Sequence, residues 1–265
     1  MAYKSNIGWT DGTFNPWIGC QKAGEGCDNC YAAAFNHRLG QTDFEKGSKP
    51  RLLSDGNWQK PISWNKKASA AGERYLVFAG SMCDWADKNA DDEVRARFWE
   101  LIRATPMIQW QLLTKRAPNI AKYLPEDWGN GYKNVSLGVT VENKRQGLRR
   151  MDMLKEIPAS VRFVSVEPLL EPLGKINLTG IDWVIVGGES GAKARPMQVA
   201  WVDEVYQASL EHECPFFFKQ WGTYGEDGVR RSVKENGELY RGREIKQFPR
   251  SYGLNAYSTA RELGN

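Results

Sequence analysis

The chain has 265 residues, 41% of them hydrophobic and 26% charged, with a formal net charge of +4, an ordinary composition for a globular protein able to bury a substantial core. No apolar run approaches the ~20 residues a membrane-crossing helix needs, and Met1-Ala2-Tyr3-Lys4-Ser5-Asn6 lacks the apolar stretch of an export signal. The mild basicity is compatible with a polyanionic partner without requiring one. In chain order, one strand is expected ahead of a loop holding three of the five cysteines: Gly19-Cys20-Gln21-Lys22-Ala23-Gly24-Glu25-Gly26-Cys27-Asp28-Asn29-Cys30-Tyr31. Such clustering does not read as a disulfide framework, and a reducing cytoplasm suits it better. Residues 40–73 are polar and read as a loop-rich insertion after the first helix.

From about Tyr75 to Gln220, short apolar runs recur and each ends in polar residues: Tyr75–Ala79, Ile108–Leu113, Val135–Val139, Arg162–Val166, Trp183–Val186 and Pro215–Phe218. Near-continuous apolar runs of this length mark strands buried on both faces. The intervening stretches 91–104 and 202–213 have helical spacing; Val94, Phe98, Leu101 and Ile102 share one stripe, and Asp91 and Asp92 suit its positive N-terminal end. Alternation of strand and helix implies parallel strands joined by right-handed crossovers. The expected fold is therefore α/β: a full or partial (β/α) TIM-like barrel over residues 1–221, the Cys-rich loop after its first strand. A small charged hairpin extension over 222–265 is expected to follow, turning at Asn236-Gly237.

In such a barrel the C-terminal strand ends carry the chemistry. Here they hold Asp84, Lys115, Arg116, Glu142, Asn143, Glu167, Glu189, Ser190, Lys219 and Gln220. In the extension, Arg230, Arg231, Lys234, Arg241, Arg243 and Lys246 read as a solvated hairpin in preference to a phosphate-binding face. Of the 11 tryptophans, Trp9, Trp17, Trp58, Trp64, Trp85 and Trp221 stand in polar surroundings. Buried packing is the favoured explanation, stacking platforms for a base or cofactor the alternative.

Six residues separate Cys20 from Cys27 and two separate Cys27 from Cys30, so the three thiols can converge on one centre. A closed structural zinc site needs four protein ligands, here completed by His37, Cys83 or an acidic side chain. A [4Fe–4S] cluster held by three thiolates leaves one iron open for chemistry. A cysteine loop between strand and helix, at the chemical end of a parallel barrel, favours the cluster. Gly19, Gly24 and Gly26 suit a loop wrapped closely around either centre. Cys83 reads as a small buried apolar residue in preference to a ligand.

At these residues the chain resembles the radical S-adenosylmethionine enzymes. Their common motif places three and then two residues between its cysteines, so the six-residue spacing here is a departure. The aromatic residue usual before the third cysteine is replaced by Asn29, with Tyr31 just after. More narrowly, Trp9-Thr10-Asp11, Asn15-Pro16-Trp17, Gly19-Cys20, Cys27-Asp28-Asn29-Cys30-Tyr31, Gly187-Gly188-Glu189-Ser190-Gly191, Ala194-Arg195-Pro196-Met197 and Phe217-Phe218-Lys219-Gln220-Trp221-Gly222 resemble a phage- and prophage-borne family long of unknown function, over about residues 5–225.

The resemblance implies that Cys20, Cys27 and Cys30 bind three irons while S-adenosylmethionine chelates the fourth. Reductive cleavage would then give a 5′-deoxyadenosyl radical that removes hydrogen from a substrate. It further implies cofactor contacts from Tyr31, Ser81, Asp84, Gly187, Gly188, Glu189 and Ser190. Catalytic roles would fall to Lys115, Glu142, Glu167 and Lys219, and substrate contacts to Arg116, Asn143, Arg195, Gln220 and Trp221. Implied partners are a nucleic acid or modified nucleoside and an electron donor such as flavodoxin or ferredoxin, met in the cytoplasm of a bacterial host. Phage context points to isomerisation of an amino-acid adduct on a thymidine-type base. A radical enzyme acting on a peptide, tRNA or small metabolite, and a zinc-stabilised nucleic-acid-binding module, remain open alternatives.

Overall fold

In the computed structural model, which describes residues 5–253, the first strand is spliced into place by two polar residues. Thr10 Oγ1 donates to Leu76 O (3.1 Å) and accepts from Phe78 N (2.9 Å), and Asp11 accepts from Leu76 N (2.9 Å). Strand β1 (Gly12–Phe14) then runs parallel to β4 (Tyr75–Ala79), pairing Gly12 with Val77 and Phe14 with Ala79. Between them lie β2 (Trp17–Ile18), α1 (Tyr31–Arg38), β3 (Arg51–Leu52) and α2 (Asp55–Ala71); β2 and β3 form a separate antiparallel pair. The chain continues through α3 (Asp92–Ala104), β5 (Ile108–Thr114), the short α4 (Ile120–Tyr123) and β6 (Val135–Thr140). It ends with α5 (Arg149–Lys155), β7 (Val161–Val166), β8 (Trp183–Gly187), α6 (Val199–Glu211), β9 (Phe216–Gln220) and α7 (Val233–Asn236).

Seven strands form one parallel sheet in the order β1-β4-β5-β6-β7-β8-β9, following chain order once the separate β2–β3 pair is set aside, which is the topology of a partial (β/α) barrel. Each expected apolar run became a strand within a residue or two. The described residues divide into two compact units: 5–23, 32–138 and 156–160 in the first, 24–31, 139–155 and 161–253 in the second.

In the first unit, α3 starts where expected. The Asp91 carboxylate caps it by accepting from Glu93 N (2.8 Å), and Phe98, Leu101 and Ile102 are buried. Phe98 and Trp110 meet edge to face at 5.4 Å, and Phe14 packs against Phe98 at 5.8 Å. The stretch 40–73 departs from the loop-rich expectation, because 17 of its residues form α2. Only Trp58, Pro61 and Ala68 are buried on that helix, so its apolar stripe is too thin to read, and Gly56 and Pro61 look like breakers.

In the second unit, β8 is buried along its whole length, and Trp183 packs edge to face on Phe217 at 6.0 Å. Residues 245–247 lie antiparallel beside β9, through Phe218 N to Ile245 O (2.8 Å) and Gln247 N to Phe216 O (3.1 Å). The expected hairpin turn at Asn236-Gly237 is instead the end of α7. Ser232 and Glu235 form a capping box at the start of that helix, and Gly237 (φ 72°) terminates it. The tight turn falls at Arg241-Gly242, both at positive φ, where Tyr240 and Arg243 exchange backbone hydrogen bonds. The part of the expected extension beyond 253 lies outside the described residues.

Trp9, Trp17, Trp58, Trp85 and Trp221 are all buried, and the partly buried Trp64 packs on Tyr75 at 5.6 Å, so core packing accounts for them. Among the described residues, no helix is long and apolar enough to cross a membrane.

Candidate functional site

The cysteine loop leads into α1 as the sequence suggested, but the two-residue β2 stands between it and the first strand, and each of its halves is anchored within its own unit. In the first unit, Gly19 takes φ 107°, and a Cβ there would lie 2.4 Å from Asp43 O, so only glycine fits. Gln21, next to Cys20, donates its N–H to Asp87 (3.0 Å), and its carbonyl accepts from Arg116. Arg116 also pairs with Asp84 (2.7 Å) and Asp87 (3.0 Å). Burial on its own would lower the Arg116 pKa, but Asp84 and Asp87, with the Cys20 charge behind them, raise it.

Asp84 was expected to hold the cofactor's amino group. Its oxygens already accept from Thr114 Oγ1 (2.6 Å), Ala86 N (3.0 Å), Lys115 N (3.2 Å) and Arg116 (2.7 Å). A carboxylate offers about four acceptor positions, so this buried Asp84 ties β4 to β5. Ser81 Oγ accepts from Asn15 Nδ2 (3.0 Å), and Asn15 Oδ1 accepts from Met82 N (2.7 Å), which fixes the turn after β4.

In the second unit, residues 24–31 rest on the ends of β6 and β8. A Cβ on Gly24 would strike Gln146 Oε1 at 2.2 Å, and one on Gly26 would approach the Glu142 carboxylate at 3.2 Å. Glu142 is fully buried; its Oε2 pairs with Arg150 at 2.5 Å and its Oε1 has no hydrogen-bond partner. Asn143 Nδ2 donates to Glu25 (3.1 Å). Glu189, at the end of β8, accepts from Arg195 N (2.8 Å), Nε (2.9 Å) and Nη2 (2.6 Å) and from Asn29 Nδ2 (3.0 Å). Arg195 Nη2 also reaches Glu25 O (3.0 Å), and Asn29 Nδ2 reaches Lys193 O (2.8 Å). Burial alone would raise the Glu189 pKa, but Arg195 and Asn29 hold it below the ordinary carboxylate range. At the ends of β7 and β9, Glu167 and Lys219 form a 2.6 Å ion pair that keeps some accessible surface, with Ser165 Oγ donating to Glu167 (3.2 Å).

Several of the residues expected to make contacts also have a place in the protein's own packing. A Cβ on Gly188 would sit 1.9 Å from Trp221 O, so the close approach there is to the protein's own backbone. Gln220 Nε2 donates to Gly188 O (3.0 Å), and Trp221 is a core side chain whose Nε1 donates to Leu239 O (2.7 Å). Tyr31 is 55% exposed, while Ser190 and Lys115 are partly accessible. Gly187 leaves room for the Glu167–Lys219 pair, since a Cβ would lie 3.2 Å from Glu167 Oε2. Sequence reasoning missed Asp87, Gln146 and Arg150. Asp87 stands three residues after Asp84 in a run of polar residues, a weak signal; Arg150 and Gln146 gave none.

None of the five cysteines is in a disulfide; Cys20, Cys27 and Cys30 are partly accessible, and Cys83 and Cys214 are buried. Three accessible soft donors on one loop fit an iron–sulfur cluster in donor chemistry. Among the described residues, no three His, Cys, Asp or Glu side chains are grouped for a metal ion, and His37 is exposed on α1.

These features define an α/β protein of the partial (β/α)-barrel class with a glycine-rich cysteine loop beside its strand ends. The chain belongs to a family described as a protein of unknown function, DUF5131, whose profile matches residues 4–249. No curated protein and no solved structure matches it.

Proposed function

We propose that this chain is a radical S-adenosylmethionine enzyme of the bacterial host cytoplasm that modifies a nucleic-acid base, isomerising an amino-acid adduct on a thymidine-type base. The observation that carries the reading is the set of three partly accessible cysteines outside any disulfide, Cys20, Cys27 and Cys30, on one loop. Anchorage of residues 24–31 on the ends of parallel strands supports it, since those ends are where barrel enzymes place their chemistry.

Cys20, Cys27 and Cys30 would hold a [4Fe–4S] cluster. With S-adenosylmethionine bound, that cluster supplies reductive formation of a carbon radical able to take hydrogen from a C–H bond. Glu167 and Lys219 keep accessible surface and are the strand-end charges best placed to bind a charged substrate group or move a proton. Glu142, fully buried and paired with Arg150, shapes the seat of the loop.

The test is anaerobic reconstitution of the full chain with iron and sulfide, followed by reduction in the presence of S-adenosylmethionine and modified DNA. Four irons and four sulfides per chain are expected of a [4Fe–4S] centre, with release of 5′-deoxyadenosine and an altered nucleoside on digestion and mass spectrometry. Absence of bound sulfide removes the enzyme reading, and an unchanged nucleoside despite cofactor cleavage removes the substrate.

A further inference from the structure

Residue 29 lies between the second and third cysteines, and its side chain is hydrogen-bonded to the segment that follows β8. Asn29 Nδ2 is shared between Glu189 Oε2 (3.0 Å) and Lys193 O (2.8 Å). Glu189 is buried and oriented by three hydrogen bonds from Arg195, one of them from its backbone N–H. The same guanidinium holds Glu25 O (3.0 Å) at the start of the turn. The Glu189–Arg195 pair, buried on its carboxylate side, thus holds the chain at Glu25 and Asn29, on either side of Cys27 and next to Cys30. Within the turn, Cys27 N donates to Gly24 O (2.9 Å), Asp28 N to Glu25 O (3.1 Å) and Cys30 N to Cys27 O (3.4 Å).

We infer that Glu189, Arg195 and Asn29 are positioning residues, which set the spacing of the Cys27 and Cys30 sulfurs through the turn and do not themselves contact cofactor or substrate. The inference rests on the proposed cluster for its consequence, but the grip itself is a property of the protein alone. Every acceptor position of Glu189 that faces Asn29 and Arg195 is already taken, so a ligand there would first have to displace a charge-assisted hydrogen bond. A glutamine at 189 has one oxygen where the carboxylate has two, and its amide would face the donors of Asn29 or Arg195.

The test is a polarity swap read in two ways. In the metal-free protein, hydrogen exchange at the Cys27, Asp28 and Cys30 amides is expected to quicken about tenfold or more in N29A and E189Q. N29D sets a second carboxylate against Glu189 and should be at least as fast. The double variant N29D/E189Q restores a donor–acceptor pair in the opposite sense and is expected to recover much of the protection, short of all of it because Lys193 O loses its donor. In the reconstituted protein, the midpoint potential and the paramagnetic resonance signature of the reduced cluster should shift in N29A and E189Q and return toward wild type in the swap. N29A removes a partly accessible side chain, so it keeps the test open if changes at the buried 189 hinder folding. Unchanged exchange and an unchanged cluster signature in N29A overturn the inference, as does a double variant no better than N29D. A wild-type protein without sulfide would sink the cluster reading and leave the exchange result standing.

Discussion

Burial pushes the Cys83 thiol well above its usual range, reinforced by the charges of Cys20 and Asp84, and burial with Asp182 nearby pushes Cys214 up to about 12. The thiolate is the nucleophile, so both are unreactive near neutral pH, whereas Cys20, Cys27 and Cys30 are partly accessible. Iodoacetamide applied to the native metal-free protein is expected to alkylate those three and spare Cys83 and Cys214, all five reacting once urea unfolds the chain. Native labelling of Cys83 as fast as Cys27, seen by peptide mass spectrometry, would contradict the burial argument. Glu189 gives a second expectation, in pH. Its folded pKa is depressed, so its contribution is fully present above the unfolded carboxylate value of ~4.3 and is lost as pH falls through the lower folded value. The stability difference between wild type and E189Q, from urea titrations, should stay constant from neutral pH to about 4.3 and shrink below it. A difference that grew on acidification would reverse the sign and remove Glu189 as an ionised anchor.

Between β8 and β9 the backbones nearly touch. Gly188 faces Trp221 O at 1.9 Å from its virtual Cβ, and Gly222, at φ 91°, faces Glu189 O at 2.2 Å. Any side chain at 188 must push the ends of β8 and β9 apart, which for overpacking costs about 1–3 kcal/mol or more. Gly188→Ala is expected to lower Tm by roughly 5 °C or more for a chain of this size, read by calorimetry; an unshifted transition would mean that the two backbones can part freely. In the first unit, Phe98→Ala on α3 should cost about 3–5 kcal/mol, because the ring fills the space between Phe14, Trp99 and Trp110. Elements differ in how openly the sequence announces them. Strands β4 to β9 were legible because burial on both faces writes an unbroken apolar run. Helix α3 was legible because it has both a cap and a stripe. Helix α2 was not, since it buries one thin face behind a proline and polar residues. At the site, the cysteines and the charged strand ends could be found by residue type and place. Which of those charges are already paired could not be read, because pairs such as Glu142–Arg150 and Asp84–Arg116 depend on contacts between separate elements that have no sequence period.

Across the whole molecule the surplus of positive charge is small, and many of the cations near the C-terminus are committed internally. Arg231 pairs with Asp227 and Arg241 with Asp203, each at 2.6 Å; Arg230 donates to Ala192 O, and Lys246 is buried against Phe218 O, Lys219 O and Glu238. Transferring such a cation to a DNA phosphate exchanges one anionic partner for another, and exposed ion pairs are worth little either way. Long-range attraction to the duplex is therefore weak, and a nucleic-acid substrate would have to be recognised at the strand ends through the modified base itself. Binding of unmodified duplex DNA, followed by fluorescence anisotropy against salt, is expected to be poor, with log K falling against log salt at a slope no steeper than about −2, the mark of only two or so neutralised phosphates. A slope of about −5 or steeper would instead show a continuous basic face. Recognition would then be carried by the backbone of the nucleic acid, and selectivity for a modified base would have to come from the chemical step alone.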